Sequence, residues 1–90
     1  MSRPLSPTPI GPDRDLLLEA VEVVVDRRHA SAPYLQRRIR VGFAKAGRLM
    51  QLMEERGIVG RTSDGVSTFE VLVPREDKWL AMDAIRGETP

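Results

Sequence analysis

The run from Val41 to Val59, VGFAKAGRLMQLMEERGIV, leaves few choices of fold, because it reads as a single amphipathic helix opened by Val41-Gly42 and closed at Gly57. Phe43, Ala46, Met50 and Met53 recur at spacings of three and four, and Leu49 and Leu52 widen the stripe, which is the pattern of a helix buried on one side. The opposite side carries Ala44, Lys45, Arg48, Gln51 and Glu55. Ala46 and Gly47 are small enough to predict close approach of a second helix, and Gly57 stands where a helix ends in the left-handed conformation. Such a helix is stable only if neighbouring segments cover its apolar side, so the flanks decide the fold.

With 90 residues the chain has room for one domain, which buries about two thirds of the surface of its unfolded form and so holds a modest core. The absence of cysteine excludes a disulfide framework, a thiolate nucleophile and a cysteine-based zinc site. His29 has no second histidine to share a metal, Ser31 has no obvious base, and no GxxxxGK[ST] run is present. An enzyme, a metal and a cofactor are therefore not expected. No apolar run approaches a membrane span, and MSRPLSPTPIGP lacks the apolar stretch of a signal peptide, so the expectation is a cytoplasmic protein without membrane contact.

The net charge of +1 conceals a block structure. Arg27, Arg28, Arg37, Arg38, Arg40, Lys45 and Arg48 all precede Met53, and no Asp or Glu lies among them. That fits a local phosphate-binding face, and it fits an ordinary solvated surface equally well.

Residues 1–12 alternate four of the seven prolines with Ser and Thr, a composition of an extended, flexible arm or linker that buries no core. From Asp13, DRDLLLEAVEVVVDRR places Asp15, Glu19, Glu22 and Asp26 on one polar face, opposite Leu, Ala and Val, which predicts a first helix despite the three valines Val23 to Val25. Asp13 and Asp15 read as capping and dipole-complementing acids rather than an acid/base pair. In RRHASAPYLQRRIRVG, Ser31 is placed as an N-cap, Pro33 falls in the first turn, and Leu35 with Ile39 forms an i, i+4 apolar pair. A short second helix then turns through Val41-Gly42 into the third. This is the helix-turn-helix order, whose second helix can enter the major groove, although a plain helical hairpin satisfies the same pattern.

Beyond Gly57, Ile58-Val59, a turn containing Asp64-Gly65 and the alternating run Val66 to Val73 predict a β-hairpin, which completes the order of a winged helix. In such a fold the hairpin tip reaches the phosphate backbone or the minor groove, and Arg61 is the candidate for that contact. Pro74 ends the strand, and REDKWLAMDAIRG predicts a short C-terminal helix with Trp79 or Leu80, Met82 and Ile85 against the domain and a frayed tail from Glu88. The expected fold is thus mainly α with a small β-hairpin. It is a winged helix-turn-helix of three helices plus wing over 13–74, preceded by the arm 1–12 and followed by an extra helix and tail over 75–90.

The segment DRDLLLEAVEVVVDRRHASAPYLQRRIRVGFAKAGRLMQLMEERGIVG, together with STFEVLV, closely resembles the gamma domain at the C-terminus of the FtsK/SpoIIIE DNA translocases. The resemblance covers roughly Asp13 to Val73, and LQRRIRVGFAKAGRLMQLMEERGIVG carries most of it. It implies a winged-helix module that recognises short, polar, G-rich sequences in double-stranded DNA and so orients a hexameric ATPase motor. It also implies a tyrosine recombinase as a partner of the full-length protein. Carried over residue by residue, Arg48 matches the family's base-reading arginine, and a guanidinium can fork to guanine O6 and N7. Ala44 stands where well-studied members carry Asn, and Gln51 where they carry an acid, so apolar contact and adenine preference are what these two can supply. Ser31, Arg37, Arg38, Arg40 and Lys45 look like phosphate partners, which position a module without specifying sequence. A protein-interaction winged helix and a small transcription regulator are the alternatives.

Overall fold

The computed structural model describes residues 8–62 and 69–88. Its elements run α1 (Arg14–Arg27), α2 (Ala32–Arg38), α3 (Phe43–Glu55), β1 (Val59–Arg61), β2 (Phe69–Val71) and α4 (Lys78–Arg86), with single 3-10 turns before α1 and before α4. The helix-turn-helix, the antiparallel hairpin and the additional C-terminal helix follow the order expected from the sequence. The Asp64-Gly65 turn and the start of the predicted second strand lie outside the described residues.

α1 forms the floor of the core. Leu17, Ala20, Val21, Val24 and Val25 are fully buried on one stripe, which explains how a valine run is held in a helix: burial outweighs the weak intrinsic preference of β-branched residues. Its C-terminus is closed by Arg28 in the left-handed region (φ 55°), whose N–H reaches the Val24 carbonyl, the cap geometry usually given to glycine. The Arg28 guanidinium donates to the carbonyls of Val71 and Val73, so the same residue ties α1 to β2.

α3 crosses α1 and α2 and buries Ala46, Leu49, Met50, Leu52 and Met53. Gly57 adopts φ 75° immediately after it, as the sequence requires. The hairpin pairs Val59 with Val71 and Arg61 with Phe69, and the Leu72 N–H donates to the Ile58 carbonyl at 2.9 Å. α4 covers the far side of α1 with Met82 and Ile85, and Lys78 pins it there through Asp26 at 2.9 Å and Glu22 at 3.7 Å.

Five expectations are corrected. Phe43 is 72% exposed rather than part of the buried stripe, because it lies roughly a quarter turn from the middle of that stripe, in a first turn that no neighbour covers. Trp79 and Leu80 are both exposed; only Met82 and Ile85 of α4 enter the core, and the Lys78 ammonium sits 4.8 Å above the Trp79 ring. Asp13 makes no capping hydrogen bond to α1. Within the segment 1–12, Ile10 does enter the core, 1% exposed among the apolar side chains. Glu88 is held rather than frayed, bound by both carboxylate oxygens to the nearly buried Arg56 at 2.6 and 2.8 Å.

Candidate nucleic-acid interface

The junction of α2 and α3 is built from local chemistry. The Ser31 hydroxyl oxygen accepts from the Tyr34 N–H at 3.1 Å and caps α2, which leaves its own O–H as a donor. Ile39 closes α2, Arg40 turns the chain in the left-handed region (φ 59°), and extended Gly42 starts α3. Because the intervening turn is this short, the two helices are fixed against each other by Leu35 and the buried stripe of α3.

The exposed face of α3 carries Ala44, Gly47, Gln51 and Glu55, flanked by half-buried Lys45 and Arg48. Arg27, Arg37, Arg38 and Arg40 are exposed and have no ion-pair partner among the described residues. A groove between α2, α3 and the hairpin is lined by Ser31, Pro33, Phe43, Gly47, Gln51 and Arg61. The Arg61 guanidinium lies 5.0 Å over the Phe69 ring, and its Nε donates to Glu54 at 3.2 Å, so the hairpin's cation is braced against α3.

The apparently acid-free basic segment is not acid-free in space. Asp13, 6% exposed, receives the Lys45 ammonium at 2.7 Å and the Arg48 Nε at 3.1 Å. The hydrogen bond from Lys45 chiefly holds its carboxyl below the usual value of 3.8; burial opposes this and Arg48 reinforces it. Arg48 Nη2 also donates to the carbonyls of Pro9 and Ile10, each at 3.3 Å. Further along α3, Gln51 Nε2 donates to Glu55 at 3.2 Å, and Glu55 accepts from the N–H and hydroxyl of Thr8 at 2.9 and 3.0 Å. The Thr8 N–H is the main reason that the Glu55 carboxyl is also held below its usual range.

The structure therefore gathers Arg48, Lys45, Gln51 and Ala44 on or beside one helix face, with Ser31 and Arg61 across the groove and Arg37, Arg38 and Arg40 at the end of α2 and the turn. It adds participants that sequence reasoning did not assign: Asp13, Thr8, Glu54 and the exposed Phe43. No periodicity links Asp13 to Arg48 across 35 residues, and the only signal for the pair was an acid standing upstream of a segment that had none. Among the described residues no cluster of His, Asp and Glu could hold a metal ion, and no helix is long and apolar enough to cross a membrane.

Known proteins are similar to this sequence over most of its length. DNA translocase FtsK of Mycobacterium tuberculosis (strain H37Rv) is 54% identical over 79 residues, 88% of this chain and 9% of the translocase. The translocases of Mycobacterium leprae and Streptomyces coelicolor are 53% and 51% identical, over 87% and 89% of this chain and 9% of their own length. The chain thus corresponds to about a tenth of the relatives it matches, and residues 12–74 match the family described as the Ftsk gamma domain. With more than half of its length inside that match, and the helix-turn-helix and hairpin falling within it, this chain belongs to the Ftsk gamma domain family.

Proposed function

We propose that this domain binds double-stranded DNA in a sequence-selective way, with α3 in the major groove, and that it serves as the DNA-reading part of a translocase. The observation that carries the reading is the exposed polar face of α3, adjoined by Arg37, Arg38 and Arg40, which have no carboxylate partners among the described residues. A B-form major groove is roughly 12 Å wide and accepts a helix of this diameter. Exposed cations at the end of the preceding helix are in position to meet the flanking phosphates, which fix register, while α3 meets base edges.

In this reading Arg48 contacts guanine, Ala44 packs against a thymine methyl, Gln51 prefers adenine, and Lys45, Ser31 and Arg61 complete the phosphate and wing contacts. Chemistry belongs elsewhere: an ATPase motor lies in another part of a longer protein or in a partner, and a hexameric motor and a tyrosine recombinase are the assemblies in which this module would act. That its relatives are DNA translocases supports this reading.

Selection of bound duplexes from a random pool tests the reading. Enrichment of a short G-containing sequence, lost with Arg48→Ala and shifted at one or two bases with Gln51→Glu, is the expected result. Equal affinity for every duplex would remove it. A protein-interaction role is favoured by one specific observation, the exposure of Phe43, Leu72, Trp79 and Leu80, and predicts capture of a partner without DNA.

A further inference from the structure

We propose that Asp13 is a positioning residue for base recognition, holding Arg48 by the Nε side of its guanidinium so that a fixed donor edge meets the guanine. The inference rests on the reading of Arg48 as the base contact and adds how that contact is oriented. Asp13 is the one buried charged residue among those described, and no capping role accounts for it. Its two oxygens are divided between Lys45 Nζ at 2.7 Å and Arg48 Nε at 3.1 Å.

A guanidinium has five N–H groups in a rigid plane, and a guanine takes two of them. In Arg48, Nε is engaged by Asp13 and Nη2 reaches the carbonyls of Pro9 and Ile10 at 3.3 Å, while Nη1 has no acceptor among the described residues. The strongest of these contacts, the charged one, fixes the plane of the fork. The weaker carbonyl contacts are long enough to yield Nη2 to a guanine oxygen or nitrogen, so Nη1 and Nη2 together form the fork while Nε stays on Asp13. An arginine held this way has less conformational freedom to lose on binding than one swinging in solvent.

The same carboxylate has a second consequence. By offsetting one of the two positive charges of Lys45 and Arg48 it lowers the attraction of α3 for any phosphate, which depresses sequence-independent binding. Asp13 therefore widens the gap between the chosen sequence and all others from both ends.

Three chains decide this: the wild type, Asp13→Asn, and Arg48→Ala, each compared on a selected duplex, on that duplex with 7-deazaguanine in place of the guanine, and on a random duplex. For Asp13→Asn the discrimination between guanine and 7-deazaguanine should fall roughly tenfold, the loss of most of one forked contact. Binding to the random duplex should strengthen by roughly twofold or more. Its salt dependence should steepen by about one unit as the carboxylate charge beside the Lys45 phosphate contact is removed. Proportional weakening on all three duplexes means a structural role only and overturns the inference, as does an unchanged discrimination. If Arg48→Ala itself leaves the discrimination intact, the base-contact reading fails, a result distinct from failure at Asp13 alone. Should Asp13→Asn not fold, the wild type still answers: the Arg48 Nε–H should give a slowly exchanging proton signal in the DNA complex as well as in the free protein. Its averaging with solvent in the complex overturns the proposal.

Discussion

At residue scale, stability and the proposed DNA contact pull apart most clearly at Arg40. A non-glycine residue at φ 59° carries a backbone penalty of roughly 1 kcal/mol, and nothing among the described residues pairs with its guanidinium. Arg40→Gly should thus leave thermal stability unchanged or raise it by up to about 1 kcal/mol, while weakening binding to all duplexes alike and flattening the salt dependence by about one unit. A melting curve and a salt titration check both halves. Asp13 supplies the acid-sensitive counterpart. Its folded pKa lies below 3.8, so the stabilisation it gives is fully present above that value and is lost as pH falls through the depressed folded value. Acid unfolding of wild type and Asp13→Asn, followed by circular dichroism, should converge as pH drops below about 3.8 and differ at neutral pH.

At the scale of elements, each helix end tests a separate device. Ser31→Ala removes the hydrogen bond to the Tyr34 N–H and should cost about 1 kcal/mol, read as a lower denaturation midpoint. Ser31→Asp, which keeps the acceptor, should retain most of that stability yet weaken DNA binding by placing a negative charge at the groove. These ends were legible in the sequence because capping and helix termination are short-range chemistry: Ser31, Pro33, Gly42 and Gly57 declare themselves within a few residues. The buried faces of α1 and α3 were legible for the same reason, since periodicity is local. Phe43 and Trp79 were not, because a helical repeat gives the direction of a side chain without saying whether another element extends far enough to cover it. The partners of Arg48 and Lys45 were invisible on still stronger grounds. An ion pair across 35 residues depends on where α1 begins relative to α3, which is a property of the packed whole.

At the scale of the whole molecule, the segment Thr8 to Asp13 acts as a strap that links the core to the exposed face of α3 proposed to read DNA. Ile10 inserts into the core, and the carbonyls on either side of its N–H, those of Pro9 and Ile10, reach Arg48. Thr8 meets Glu55 and gives its carbonyl to Arg56, which in turn holds Glu88 at the other end of the fold. One apolar anchor thereby fixes several polar contacts along α3. Ile10→Ala deletes a fully buried side chain and should cost roughly 2–4 kcal/mol, a large share of the roughly 5–13 kcal/mol available to a domain of this size. Ile10→Val, which removes one methylene, should cost about 1 kcal/mol and keep the strap seated. If the strap positions the recognition helix, Ile10→Ala studied at a temperature where it remains folded should lose guanine discrimination more than random-duplex affinity, and Ile10→Val should not. Equal losses on both duplexes would confine Ile10 to the core.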